Sequence, residues 1–375
     1  MDKNSTYNIS GFNASDESGT FSSDVNRVLE VLHYTNYFFL PTFLVLGLVG
    51  NCLSIIIMIR PKFKNITSSM ILMALSVSDS VLLLTQPFNK RFIIQLIGTD
   101  LRALSDVGCK IFFVIFKTSK MTSSWLVVAM CVERFVAVWF PLKAKFICTR
   151  KVVRAGIISI YVFIGTYTSI WSYASKIKNG ICHPDVYNAS NPDEVEQFGR
   201  FLLGGVNLYS FIPIIILCIL TPLIIFKLSQ LTRKRRRLTG KHKTVDQKQQ
   251  AESNRTTMML LGVMIAYIVL IAPVGSLHLS AFILRKNAFG VQNSGFQIYT
   301  EVTQITEQIN YAINFFLYVV TSRNFQHELK NIFRCDLGLK QSLTSSIKRR
   351  FTSVTTTKES SSDVPLDEKC GSNKI

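Results

Sequence analysis

Phe211-Ile212-Pro213-Ile214-Ile215-Ile216-Leu217-Cys218-Ile219-Leu220-Thr221-Pro222-Leu223-Ile224-Ile225-Phe226 runs without a single charged side chain. It sits inside an apolar stretch, residues 201–228, long enough to cross a bilayer as a helix, since roughly 20 residues span ~30 Å of hydrocarbon. Only helices and closed barrels satisfy their backbone polar groups in lipid, and this stretch lacks the period-2 alternation of a barrel strand. Working outward, similar stretches occupy residues 37–60, 68–92, 109–139, 151–174, 255–284 and 298–321. Across all 375 residues, 48% are hydrophobic, only 17% are charged and mean hydropathy is +0.28, which is outside the habit of a soluble domain. The expected fold is an all-α membrane protein, a seven-transmembrane helix bundle.

The formal charge of +19 is distributed in a way that argues against nucleic acid as a partner. Lys and Arg gather in alternate connections: Arg60 to Lys64, Lys143 to Arg154, the run Arg233 to Arg237 with Lys241 and Lys243, and the stretch after Arg323. That asymmetry predicts a multi-pass plasma-membrane protein with its N-terminus extracellular and its C-terminus cytoplasmic. Sequons at Asn4, Asn8, Asn13 and Asn188 all fall on the expected outer side and are candidate glycosylation sites. No cleavable signal pattern is visible before the first span, which is expected to act as an uncleaved anchor.

The organisation expected is therefore a glycosylated extracellular tail over 1–36, the bundle over 37–322, a short amphipathic eighth helix on the membrane surface over 323–335, and a disordered cytoplasmic tail over 336–375. Phe325, Leu329, Ile332 and Phe333 share one face of that eighth helix, with Arg323, Lys330 and Arg334 around it. Cys335 at its end is a palmitoylation candidate, with a plain cysteine the alternative. The tail is rich in Ser, Thr, Lys and Asp.

Polar residues inside the spans carry the functional information. A charge costs ~2.5–3.5 kcal/mol at a helix centre on insertion scales, so one that is present faces the bundle interior. Asp79, Ser123, Asn310 and Asn314, with Asn51, sit at mid-span or deeper. They could hold a small cation, most simply Na⁺, or form a hydrogen-bonded cluster without metal. Lys117 and Lys120 lie one turn apart in the third span, and the seventh supplies Glu301 and Glu307. An ion pair between Lys120 and Glu307 would relieve both desolvation penalties and leave Lys117 for an acidic or carbonyl-rich ligand group. The alternative is that both lysines are paired or hydrated within the bundle. Of eight cysteines, Cys109 and Cys182 fall at the expected outer face, where a bridge would tie the third span to the second outer loop.

Together these residues resemble the rhodopsin-like (class A) G-protein-coupled receptors over roughly 37–335. Gly47-Leu48-Val49-Gly50-Asn51 is similar to the family's G-x-x-G-N, and Ala74-Leu75-Ser76-Val77-Ser78-Asp79 to its L-A-x-x-D. Glu133-Arg134-Phe135 stands for D-R-Y, with Pro141 and Leu142 following. Pro213 and Pro273 match the prolines of its fifth and sixth spans, and Asn314-Phe315-Phe316-Leu317-Tyr318 matches N-P-x-x-Y with Phe in place of Pro. The resemblance rests on joint order and spacing rather than any single motif. It implies that Arg134 is held by Glu133 at rest and released to meet a Gα subunit, with Phe135 and Tyr318 also at the coupling end. It implies a sodium pocket of Asp79, Ser123, Asn310 and Asn314, and an outer Cys109–Cys182 disulfide. It also implies receptor kinase and arrestin acting on Ser342–Ser346, Thr352–Thr357 and Ser360–Ser362. The N-F-x-x-Y ending resembles that of invertebrate neuropeptide receptors, including FMRFamide-type ones.

Four departures bear on activation: Tyr161 where the family places Trp, Ile271 in place of the sixth-span indole, Thr221 for the fifth-span Tyr, and Phe315 for Pro. By elimination the ligand is expected to be a short neuropeptide. The seventh span has no Lys for a retinal Schiff base, and Phe116 beside Lys117 stands where amine receptors carry Asp. The expected binding residues are Asn89, Phe116, Lys117, Lys120, His278, Glu301 and Glu307, with Lys90 and Arg91 on the rim. A chemosensory receptor for a small molecule or lipid is the runner-up. A secondary transporter is disfavoured by the absence of a visible repeat. Nothing in the sequence has the pattern of an enzyme's active site or of a cofactor site beyond the candidate Na⁺.

Overall fold

The computed structural model of the chain describes residues 19–89, 92–184, 200–201, 204–238, 245–283, 294–332 and 334. The expected glycosylation sites Asn4, Asn8, Asn13 and Asn188, the rim residues Lys90 and Arg91, Cys335 and the Ser/Thr clusters lie outside these residues. Seven long helices carry the fold: α1 (Gly19–Ile59), α2 (Thr67–Asn89), α3 (Asp106–Trp139), α4 (Arg150–Thr168), α5 (Ile212–Leu238), α6 (Val245–Ile283) and α7 (Ser294–Thr321). Six of them are long and apolar enough to cross a membrane. The remaining one, α7, has 28 residues, but Glu301, Glu307, Gln308, Asn310 and Asn314 lower its hydropathy.

Several helices outrun the apolar stretches that announced them. α1 begins at Gly19 rather than near 37, because nothing between Gly19 and Pro41 breaks a helix. α5 and α6 project beyond the expected hydrocarbon limits, so Arg233 to Arg237 lie on helix rather than in a loop. Lys, Arg, Gln and Glu are good helix formers, and hydropathy is blind to a helix that continues into water.

α3 runs through the middle, packed on α2, α4, α5 and α6, and 61% of its apolar stretch is buried against 11% for α4 at the periphery. α1 is clasped between α2 and α7, and α7 closes against α6. Large apolar side chains such as Leu84, Phe163, Ile219, Val269 and Val320 point outward. In water such a surface would aggregate; against acyl chains it is solvated.

Close approach of α1 and α7 depends on glycine. A Cβ at Gly47 would fall 2.4 Å from Leu83 Cδ1 and 3.0 Å from Ala312 Cβ, and one at Gly50 would fall 2.8 Å from Phe315 Cβ. Phe315 thus fills the slot that Gly50 leaves, and its ring meets Phe325 edge-on at 5.8 Å. The backbone is helical again over 323–332, where Phe325 is buried among Phe63, Phe315 and Tyr318, Leu329 and Ile332 are half-buried, and Arg323 and Lys330 are exposed.

A hairpin of β1 (Ser175–Lys178) and β2 (Ile181–Pro184) follows α4 and a short turn of helix, Trp171–Ala174. Its turn residues Asn179 (φ 52°) and Gly180 (φ 72°) take the left-handed conformation that a two-residue hairpin needs.

Candidate functional site

The polar groups of the bundle form a column along α3, best followed from the hairpin end. Cys109, in the first turn of α3, is bonded to Cys182 of β2 with Cα atoms 5.7 Å apart. Asp100, in the short connection before α3, accepts the Cys182 backbone N–H at 2.9 Å and two guanidinium N–H groups of Arg102, each at 2.9 Å. Burial works to raise the Asp100 carboxyl, but those donors outweigh it and hold it below the usual aspartate range. Arg102 in turn lies over the Phe112 ring at 5.1 Å. The hairpin is therefore fixed to α3 by a covalent bond and to the connection before α3 by the Cys182 N–H donated to the buried, ion-paired Asp100.

About two to three turns further along α3 come Phe116, Lys117 and Lys120. Phe116 is buried beside Leu82, Leu83 and Tyr311 and stacks on Phe112, forming a wall between α2 and α7. Lys117 Nζ stands 4.4 Å from the Trp171 ring centroid and 5.7 Å from that of Phe116. No carboxylate among the described residues comes within ion-pair distance of it. Lys120 does find a partner: its Nζ is 2.5 Å from Glu307 Oε1. Glu307 also accepts the Tyr311 hydroxyl at 2.8 Å and the Tyr209 hydroxyl, and Lys120 Nζ lies 4.3 Å from the Tyr209 ring centroid. His278 on α6 is half-buried within electrostatic range of Lys117, Lys120 and Glu307. Glu301 is half-buried two turns before Glu307 on α7, and Asn89 is the last residue of α2.

Tyr209 was not singled out by sequence reasoning, and its position has a backbone cause. Just before α5 the chain makes one π turn, Asn207–Phe211, and Pro213 supplies no N–H to the carbonyl four residues back. The carbonyls left over are taken by side chains from neighbouring helices: Trp125 Nε1 donates to Leu208 O at 2.9 Å, and the Tyr267 hydroxyl to Tyr209 O at 3.1 Å. The bulge thus ties α5 to α3 and α6 at the same level as the Lys120–Glu307 pair.

One turn below Lys120 on α3, Ser123 Oγ donates to Asp79 Oδ1 at 2.6 Å, and Asn314 Nδ2 donates to Asp79 Oδ2 at 2.7 Å. Asn310 is buried one turn earlier on α7 but makes no bond to Asp79. Asn51 Nδ2 reaches the Tyr311 carbonyl at 3.4 Å, while its Oδ1 is buried without a donor. Asp79 and Ser123 offer oxygens that fit a hard cation such as Na⁺, whereas Asn314 presents its amide nitrogen to Asp79. Tyr161, in place of the family's Trp, bridges α4 to α2: its hydroxyl is 2.5 Å from Ser78 Oγ and donates to Ala74 O at 3.2 Å.

At the far end of α3, Arg134 is buried and held. Its Nε donates to Glu133 Oε2 at 2.8 Å and its Nη2 to Glu133 Oε1 at 3.2 Å and to Ser68 Oγ. Glu133 also accepts Thr67 Oγ1 at 2.6 Å and Ser68 Oγ at 2.7 Å. Thr67 and Ser68, two hydroxyls at the start of α2, were not legible as part of this lock. Phe135 turns away from it, its ring 5.8 Å from Trp139 and 6.3 Å from Phe140. The Tyr318 hydroxyl is buried with no hydrogen-bond partner, and its ring packs on Phe325 at 5.6 Å, so this residue is not part of the Glu133–Arg134 contact.

Comparison with known proteins agrees with this architecture. A family model described as "7 transmembrane receptor (rhodopsin family)" matches residues 50–324. The chain belongs to this family, whose members are receptors rather than enzymes. It is similar to the sex peptide receptor of Drosophila melanogaster, 24% identical over 78% of this chain and 71% of that receptor. It is also similar to the thyrotropin-releasing hormone receptor of Mus musculus, 26% identical over 44% of this chain and 45% of the relative. A third relative, G-protein coupled receptor 183 of Bos taurus, is 22% identical over 86% of this chain and 85% of its own length.

Proposed function

We propose that the chain is a plasma-membrane receptor for a short extracellular neuropeptide that activates a heterotrimeric G protein. The hairpin end of the bundle would face outward and the Arg134 end the cytoplasm, a reading that the distribution of Lys and Arg supports. The observation that carries the ligand class is Lys117: a half-buried cation 4.4 Å from the Trp171 ring, on the hairpin side of Lys120, with no carboxylate within ion-pair distance among the described residues. A buried ammonium needs an anionic or carbonyl partner, and a peptide brings both. Two of the relatives are named for peptide or hormone ligands, which is the expectation carried to this chain. His278, Glu301 and Asn89 would complete the rim, with Phe116 as the wall.

At the other end, release of Arg134 from Glu133 and Ser68 would free a guanidinium for the G protein, with Phe135 and Tyr318 flanking the docking face. Asp79, Ser123, Asn310 and Asn314 would hold a sodium ion, which stabilises the negative charge of Asp79 in the resting state. Receptor kinase and arrestin would act on the C-terminal tail.

The test is a calcium and cAMP response in cells expressing the intact chain, challenged with a neuropeptide library. A dose-dependent response to one peptide is expected. Silence across the library, with receptor confirmed at the surface, would overturn the peptide reading and shift it to a small-molecule ligand.

A further inference from the structure

Glu307 Oε1 is met by three donors, Lys120 Nζ from α3, the Tyr209 hydroxyl from the π turn before α5, and the Tyr311 hydroxyl from α7 itself. The Tyr209 and Tyr311 hydroxyls are also 3.3 Å from each other. All four side chains are largely withdrawn from solvent, the ion-paired groups retaining 15% and 8% of their exposure. Such a cluster is close to all-or-none, because removing one partner strands a buried charge. It is also mechanically connected. The backbone carbonyl of Tyr209 holds Tyr267 of α6, the carbonyl beside it holds Trp125 of α3, and Tyr311 holds Asn51 of α1 through its own carbonyl. Lys117, with no carboxylate in ion-pair reach among the described residues, is one helical turn away on the same helix as Lys120, toward the hairpin end.

We propose that the Lys120–Glu307–Tyr209–Tyr311 cluster is the resting-state latch of the receptor, opened when an acidic group of the ligand seated against Lys117 draws Lys120 away from Glu307. The inference rests on the receptor reading above and adds the chemistry of the trigger. A ligand shifts a two-state bundle only by its differential affinity for the two states. A carboxylate at Lys117 supplies that difference, because it offers Lys120 a second partner that exists only when ligand is bound. Loss of Lys120 leaves Glu307 a buried charge without its counter-ion, which the bundle relieves by admitting water to the cluster, and that water competes with Tyr209 for the carboxylate. The bulge that fastens α5 to α6 and α3 is then no longer clamped to α7. Arg134 lies 14 residues beyond Lys120 on α3, about 21 Å along the helix axis, so the latch reaches it through the α5 and α6 joints rather than by contact.

The experiment needs no ligand. Full-length receptor is placed in lipid nanodiscs with an environment-sensitive fluorophore on Met258→Cys, near the Arg134 end of α6, with the other accessible cysteines replaced. The same substitutions are read for basal second-messenger signal in cells at matched surface expression. Glu307→Gln and Tyr209→Phe should each shift the emission, and Glu307→Gln should raise the basal signal about tenfold. The exchanged pair, Lys120→Glu with Glu307→Lys, should move both readings back toward wild type. Should Glu307→Gln fail to reach the surface, Tyr209→Phe, which removes one hydroxyl, decides alone. Wild-type emission and basal signal in these single variants would overturn the latch. An emission shift without any signal in cells would uphold the latch and overturn the G-protein reading instead.

Discussion

Lys117 and Lys120 differ by three positions and by everything else that matters. Lys120 has a carboxylate at 2.5 Å and Lys117 has an aromatic face at 4.4 Å. Lys117→Leu should therefore reduce agonist potency tenfold or more, a loss of roughly 1.4 kcal/mol, without lowering surface expression. A dose–response curve superimposable on wild type would remove Lys117 from the ligand site. That a pair should form between α3 and α7 could be read from sequence, because two opposite charges in apolar spans have few ways to be tolerated. Tyr209, Thr67 and Ser68 could not be read, because hydroxyls inside apolar runs are common and cost little. Only the fold shows that these three meet charges. Ser68 both donates to Glu133 and accepts from Arg134, so Ser68→Ala should loosen the lock and raise basal signalling several-fold. Basal second-messenger output at matched surface density is the measurement, and an unchanged output would show that Glu133 holds Arg134 unaided.

Among the elements, the α1–α7 contact is where a family motif is altered and the packing explains how. Phe315 occupies the space that Gly50 leaves, with only 2.8 Å available to a Cβ there. Gly50→Leu should lower the thermal midpoint of the solubilised receptor, overpacking of this kind costing ~1–3 kcal/mol. Phe315→Ala should relieve part of that loss in the double variant. If the two losses simply added, Gly50 and Phe315 would not share the slot. The apolar cores of the seven helices were legible from hydropathy, but their ends were not. α1, α5 and α6 extend past the hydrocarbon into segments where polar helix formers give no contrast with loop. The π turn was legible only as Pro213. A proline marks where a hydrogen bond is lost, and the tertiary structure decides what replaces it.

In the whole molecule, one column of polar groups joins the hairpin end to the Arg134 end: Lys117, the Glu307 cluster, the Asp79–Ser123–Asn314 joint, and the Glu133–Arg134–Ser68 lock. If sodium is held at Asp79 in the resting state, exchanging choline for sodium at constant ionic strength should raise agonist affinity, by the reciprocity of linked binding. Asp79→Asn should abolish that sensitivity, and affinity indifferent to the exchange in the wild type would leave the joint as a hydrogen-bonded cluster only. The central claim is that binding of ligand at the hairpin end is transmitted to Arg134 and from there to a G protein. Its most direct test is nucleotide exchange on a purified heterotrimer by full-length receptor in nanodiscs, with the activating peptide added to wild type and to Arg134→Ala. The expected result is peptide-dependent acceleration by the wild type, lost in Arg134→Ala although that variant still binds the peptide. Exchange unaltered by peptide bound to the wild-type receptor, or equally accelerated by both forms, would contradict it.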